Sequence, residues 1–136
     1  MSPAQNADFP APDATGVGAR YWSELRDGRL VFQHCDACAH AWLPPRTECP
    51  RCLAANWSWR PASGKAKLVS WVVYHQEYHP WFAGRLPYNV AVVELEEGPR
   101  LISNIVEAPD RLRIEMPLQL AVQSEAGVAL ARFRPD

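Results

Sequence analysis

Residues 35–52 read C-D-A-C-A-H-A-W-L-P-P-R-T-E-C-P-R-C, and this stretch decides the fold of the first half of the chain. Cys35 and Cys38 form one C-x-x-C pair, Cys49 and Cys52 a second, with ten residues between them. A C-x-x-C turn aims two thiolates at one point, and two such turns supply the tetrahedral four-sulfur shell that zinc prefers. The separation is shorter than the common ribbon spacing of roughly 15–20 residues. A short hairpin still fits between the pairs, and Pro44, Pro45 and Thr47 suit its turn. Four thiolates leave no open coordination position, so the predicted ion is structural, one per chain, and not catalytic. Two disulfides, a rubredoxin-type iron site and free core thiols are the competing readings, and all stay open at this point. His34 and His40 flank the first pair and read as bystanders, because the shell is complete without them.

Upstream, residues 1–16 (MSPAQNADFPAPDATG) are rich in Pro, Ala and Asp, lack periodicity and read as a flexible tail. A helix is predicted over residues 17–28, within a helical segment 17–30. Tyr21, Trp22 and Leu25 fall on one face and Gly28 is a stop. That face either packs on its own domain or docks a partner. Residues 29–34 (RLVFQH) form a short strand feeding the first cysteine pair, and the ribbon is assigned to 31–62.

Downstream of the break at Pro61 to Gly64 the pattern changes to β. Strands are predicted at 65–78, 88–96, 100–107, 118–123 and 128–134, with turns at Gly98-Pro99 and Ala126-Gly127. P-D-R-L-R-I-E-M-P at 109–117 reads as a helical turn ended by Pro117. Five short strands with an insertion between the third and fourth predict a five-stranded OB-type barrel over 63–136. The first strand is apolar on both faces at Val69, Trp71, Val72 and Val73, which predicts an interior side and a side covered by a neighbour. The fold class is therefore mainly β: an N-terminal helix, a zinc ribbon and the barrel.

The 136 residues are 48% hydrophobic and 21% charged, enough for one real core. A formal net charge of -1 argues against a protein that grips phosphate backbones. No apolar run approaches the roughly 20 residues of a membrane span. The N-terminus has neither a basic nor an apolar signal region, so a cytoplasmic protein is expected. In that reducing setting four cysteines point to metal before disulfides.

The chain carries no phosphate loop, G-x-S-x-G elbow, H-E-x-x-H or paired-carboxylate pattern. His75 and His79 lie four apart, but on a strand end running into Pro80, so they read as ordinary polar residues. The segment 78–88, Y-H-P-W-F-A-G-R-L-P-Y, joins the first two barrel strands and concentrates Tyr78, Trp81, Phe82 and Tyr88 around Arg85. Four aromatics in a connecting loop either pack across the barrel mouth or form a binding edge. Lys65, Lys67, Arg85 and Arg100 are too few for a nucleic-acid groove. They suffice for the phosphates of one nucleotide-like ligand, with Trp81, Phe82, Arg85 and Tyr88 the candidate cofactor-binding set and the apolar mouth taking an acyl or pantetheine chain.

Several stretches together resemble a known family: Y-W-S-E-L-R-D-G-R-L at 21–30, C-D-A-C at 35–38, P-P-R-T-E-C-P-R-C at 44–52, S-G-K-A-K-L-V-S-W at 63–71, P-Y-N-V-A-V-V-E-L-E-E-G-P-R-L at 87–101, S-N-I-V at 103–106 and R-F-R-P at 132–135. The chain is similar over about residues 17–135 to the acyl-CoA-associated zinc-ribbon plus OB-fold proteins, long catalogued as a domain of unknown function (thirty-five). It departs at Glu115, where that family usually has Gly. The resemblance implies a rubredoxin-like zinc ribbon, an OB fold and a non-catalytic accessory subunit of a thiolase, acyltransferase or side-chain aldolase. It implies a hetero-oligomer with a thiolase-superfamily subunit, with CoA or acyl-CoA shared with that partner. No nucleic acid and no membrane partner is expected. The alternative is a stand-alone OB module for single-stranded nucleic acid; an independent enzyme would need a nucleophile outside the ribbon, where no cysteine remains.

Overall fold

The computed structural model describes residues 9–136. The predicted tail therefore lies outside the described residues over 1–8, and residues 9–13 carry no regular secondary structure. A single 3-10 turn at Gly16–Gly18 leads into helix α1 (Ala19–Arg26). The helix is shorter than the twelve residues its apolar face predicts. Gly28 takes φ +82, and its amide and that of Arg29 fold back onto the Leu25 and Glu24 carbonyls, a left-handed stop that glycine adopts without strain.

The ribbon is a three-stranded antiparallel sheet of order β2-β1-β3, with β1 at Val31–Cys35, β2 at Ala41–Trp42 and β3 at Trp57–Pro61. Next comes a five-stranded sheet of order β10-β7-β4-β5-β6. Its strands are β4 (Lys65–Tyr74), β5 (Tyr88–Leu95), β6 (Arg100–Ser103), β7 (Pro117–Leu120) and β10 (Phe133–Pro135). A separate hairpin, β8 (Gln123–Glu125) with β9 (Val128–Leu130), stands between β7 and β10.

The sheet curls but is not a closed ladder. Just past β6, Ile105 makes one parallel bridge to Phe133 of β10, with Val106 N donating to Phe133 O at 2.8 Å and Phe133 N to Asn104 O at 3.1 Å. Inward positions alternate along the strands: Leu68, Ala91, Val93, Leu95, Leu118 and Phe133 are buried. Tyr21 and Leu25 of α1 and Leu30 and Val31 at the ribbon's first strand join the same cluster. Helix, ribbon base and sheet thus share one core.

Five further expectations differ from the structure, the first being the predicted strand 100–107, which ends at Ser103. The predicted strand 65–78 ends at Tyr74, the last residue paired across to β5. The runs 118–123 and 128–134 each break in two, because Ala126 (φ 49) and Gly127 (φ 81) make a two-residue turn that folds 123–130 into its own hairpin. Residues 109–117 form no helix beyond a single turn, in which Met116 N donates to Arg113 O at 3.3 Å: the Glu115 amide donates to Leu68 O at 2.7 Å and Leu68 N to Met116 O at 3.0 Å, which ties that turn to β4. Glu115 sits there at φ 65, the left-handed region where glycine fits best. Finally, the loop end of β4 is not covered on either face among the described residues. Val72 and Val73 are exposed, as is Ile102 on β6.

Candidate functional site

The two cysteine pairs fold as copies of one turn. Cys35 N donates to His40 O (2.8 Å) and Ala39 N donates to Cys35 O (3.0 Å). Cys49 N donates to Ala54 O (2.9 Å) and Leu53 N to Cys49 O (2.8 Å). In both, the residue after the second cysteine is left-handed: Ala39 at φ 67 and Leu53 at φ 65. The amides of Ala37 and Cys38 point at Cys35 Sγ, and that of Arg51 at Cys49 Sγ, each at 3.4 Å. Such amide donors stabilise thiolates.

All four sulfurs lie within 4.8 Å of one another, and the Cys35–Cys52 and Cys38–Cys49 distances are 3.6 and 3.7 Å. A tetrahedral ion with bonds of about 2.3 Å to sulfur has edges of about 3.8 Å, so the donor set has the size and chemistry of a zinc shell. The sulfurs are also too far apart to be disulfides, whose S–S bond is about 2.05 Å. Burial opposes ionising Cys49, but the Cys52 and Arg51 amides and the neighbouring thiols outweigh it and pull this thiol down to about 7. The Ala54 amide favours the Cys52 thiolate, but burial and the three other sulfurs outweigh it and push Cys52 up to about 12.

The loop between the pairs is held by a buried side chain that the sequence reading passed over. Gln33, fully buried on β1, donates to Arg46 O at 2.7 Å and accepts from Arg46 N at 2.8 Å. Trp57 Nε1 adds a bond to Thr47 O at 2.8 Å. The histidines stay outside the sulfur cluster. His40 stacks on Trp42 at 6.2 Å, and His34 lies in β1.

The second assembly is the aromatic loop. Phe82 stacks on Tyr88 at 4.5 Å, and Tyr74 meets Tyr88 and Tyr78 at 5.3 and 5.5 Å. The Arg85 guanidinium lies 4.2 Å over the Trp81 ring, and Arg85 Nε donates to Trp81 O at 3.1 Å. His79 Nδ1 accepts from Trp81 N at 3.0 Å and caps the 3-10 turn Pro80–Phe82. His79 is thus structural, and His75 is exposed on the loop. Trp81, Phe82, Arg85 and Tyr88 do come together. They line a cleft of about 270 Å³ whose far wall includes Asn104, Glu125 and Arg132.

Glu125 and Arg132 are the residues that sequence reading missed. Arg132 is held at Glu125 Oε1 (3.0 Å) and Gln123 Oε1 (2.9 Å), and Arg85 reaches the other Glu125 oxygen at 3.7 Å. Two guanidiniums share one carboxylate, which leaves one positive charge over at the cleft. The sequence marks a turn at Ala126-Gly127, and pairing 123–125 with 128–130 across it would have flagged this corner. The other predicted cations do not join it. Lys67 and Arg100 both pair with Glu94, at 3.2 and 3.0 Å, toward the start of β4. Seven residues of strand at about 3.3 Å each separate Lys67 from the loop end of β4, so Lys65, Lys67, Arg85 and Arg100 are not one phosphate patch.

Comparison with known proteins gives two family matches that abut along the chain. The ChsH2 rubredoxin-like zinc ribbon domain matches residues 22–58, and the ChsH2 C-terminal OB-fold domain matches residues 59–123. The chain is 38% identical over 128 residues to a probable enoyl-CoA hydratase alpha subunit of Thermomonospora curvata, covering 93% of this chain but 40% of that relative's length. It is 29% identical over 131 residues to a DUF35 domain-containing scaffold protein of Pyrococcus furiosus, covering 86% of this chain and 91% of the relative. Among solved structures, a chain of the Ltp2-ChsH2(DUF35) aldolase superposes with a TM-score of 0.80 at 37% identity, covering 92% of this chain and 98% of that one. A DUF35 protein of unknown function from Sulfolobus solfataricus, 14% identical at a TM-score of 0.64, shares the fold.

Proposed function

This chain belongs to the ChsH2-type, DUF35 family of zinc-ribbon plus OB-fold proteins, and on that premise we propose that it is a non-catalytic subunit of an acyl-CoA enzyme complex. The observation that carries the reading is the match to the Ltp2-ChsH2(DUF35) aldolase chain, which this chain covers almost end to end at 37% identity. The scaffold name of the Pyrococcus relative, also covered nearly whole, points the same way. The partner is a thiolase-superfamily subunit in a hetero-oligomer of the reducing cytoplasm. It supplies the nucleophile and base, and this chain supplies the surface.

The four parts keep the division made from the sequence: segment 1–16, helical segment 17–30, ribbon 31–62 and OB domain 63–136. Cys35, Cys38, Cys49 and Cys52 hold one structural zinc, whose role is to order the ribbon. Trp81, Phe82, Arg85 and Tyr88, with Arg132 opposite, receive part of the shared CoA or acyl-CoA. The aromatic walls suit the pantetheine or acyl chain, and the one uncompensated guanidinium charge suits a phosphate.

Co-expression with a thiolase-superfamily enzyme tests the reading. The expected result is a stable complex that turns over acyl-CoA while the pure chain turns over none. Trp81→Ala and Trp22→Ala should each weaken assembly by roughly 2 kcal/mol, about thirtyfold in Kd. Thiolysis or aldol cleavage by the pure chain would refute the reading.

A further inference from the structure

The segment ahead of α1, Phe9-Pro10-Ala11-Pro12-Asp13-Ala14, is seated on the body of the protein at two points. The Phe9 ring meets the Trp81 ring edge-on, 5.2 Å between centroids at 72°. Phe9 and Pro10 wall a cleft of about 300 Å³ together with Trp81, Phe82, Ile102 and Leu130. Pro12 and Ala14 then wall a smaller cleft of about 110 Å³ with Trp22 of α1 and Val128 of β9. Strand β9 therefore contributes to both clefts, Leu130 to the first and Val128 to the second. An extended proline-containing chain advances about 3.1 Å per residue, so the five steps from Phe9 to Ala14 reach at most about 16 Å, less the shortening at the Phe9–Ala11 turn.

Among the described residues, the hydrogen bonds of this segment are internal. Ala11 N donates to Phe9 O at 2.8 Å, and Thr15 N and Oγ1 both donate to Asp13 Oδ1, at 3.0 and 2.6 Å. Apolar contact is what seats it on the 78–88 loop, α1 and the β8–β9 hairpin. Aromatic-lined grooves that take extended proline segments work in this way, because such segments are already ordered and leave their backbone polar groups to water. A segment held by so few contacts opens at low cost compared with the core.

We propose that the cleft formed by the 78–88 loop, β9 and the outer end of β6 is a docking groove for a proline-containing segment led by an aromatic ring, and that residues 9–14 lie along it in the free chain as a strap. The strap covers Trp81 and Trp22 together. An enzyme subunit that uses those two side chains as anchors must lift it first; this last step rests on the accessory-subunit reading above. The strap then sets the affinity of assembly, since each contact made to the chain's own segment is one lost on docking.

The test uses full-length protein carrying Phe9→Ala, followed through the indole N–H resonances of its tryptophans. The Trp81 signal should shift while those of Trp42 and Trp57 in the ribbon stay in place, which also reports that the variant is folded. Adding a peptide of residues 8–15 to the variant should return the Trp81 signal toward its native position, and the same peptide with Ala in place of Phe9 should not. With the partner enzyme, the variant should bind about two- to tenfold tighter than the native chain, the range expected for losing one aromatic pair. An unmoved Trp81 signal, or a peptide without effect, overturns the groove. Weaker partner binding overturns the strap as a cover and makes it part of the interface. If neither form binds a thiolase-superfamily subunit, the accessory-subunit reading fails, and the two resonance arms still decide the groove.

Discussion

Replacing Cys49 by Ser should unfold the ribbon and spare the OB sheet. The ribbon's own buried cluster is Cys35, Trp42 and Cys49, so two of its three members are metal ligands in the proposed site. The OB sheet instead draws on a cluster that includes Leu68, Val93, Leu95, Leu118 and Phe133 and does not depend on the sulfurs. Structural zinc in modules of this size contributes roughly 10–16 kcal/mol of apparent binding free energy. A whole domain is stable by only about 5–15 kcal/mol. Losing the ion therefore exceeds anything Trp42 and the half-buried Trp57 can retain between residues 35 and 56. Metal content by mass spectrometry should fall from one zinc per chain to none. Amide exchange should rise across 35–56 while β5 at 88–95 stays protected. A variant that keeps one equivalent of zinc, or loses the ion with ribbon amides still protected, would refute both the ligand assignment and the claim that the metal organises this segment. Iron in the native protein would refute the choice of metal alone.

Three further outcomes follow from single residues. Gln33→Leu should cost about 2–3 kcal/mol in thermal or denaturant unfolding and hasten zinc loss to a chelator, because it strands the Arg46 amide and carbonyl that Gln33 satisfies. Leu53→Gly should be neutral to stabilising by up to about 1 kcal/mol, and Leu53→Val destabilising, because Leu53 is 73% exposed and held at φ 65. Burial pushes the Tyr21 hydroxyl up to about 12 from 10.0. A raised folded-state pKa gives stability that is full below pH 10 and lost as pH rises toward 12, by about 2–3 kcal/mol. Tyr21→Phe should flatten the unfolding free energy across that window, and an unchanged slope would show that Tyr21 is not the titrating group.

The legible parts were those in which one local rule settles the matter. Two C-x-x-C turns define a sulfur cluster whatever surrounds them, and the positions of β4 and β5 follow from runs rich in β-branched and aromatic residues. The illegible parts are set by contacts between distant segments. Nothing in P-D-R-L-R-I-E-M-P itself forbids a helix; the Leu68 amide and carbonyl, some 45 positions earlier, take up the Glu115 amide and Met116 carbonyl and leave only a single turn. The same holds for Arg132. In the sequence it is one of a pair of arginines near the end, and only the β8–β9 hairpin brings it to Glu125 and opposite Arg85. Cation counting therefore named the wrong set, grouping Lys65, Lys67 and Arg100 with Arg85 when Glu94 holds Lys67 and Arg100 at the far end of the strand.

The aromatic residues divide in the same way, and the division bears on what the protein does. Composition gave six tryptophans without saying which were core. Trp42 is buried beside the sulfur cluster, and Trp57 and Trp59 meet edge-on at 5.6 Å in the ribbon sheet. Trp22 and Trp81 are half-buried, each beside a cleft, and each faced by the segment ahead of α1. Helix and loop are about 60 positions apart in sequence, yet one short apolar segment bridges both. An extended surface that joins a helix, a hairpin and a loop suits a subunit that works by contact, since a reaction centre needs its groups converging on one point. Among the described residues the chemistry that converges is the four-sulfur cluster, and with the proposed zinc bound its closed shell would make it a fastener for that surface.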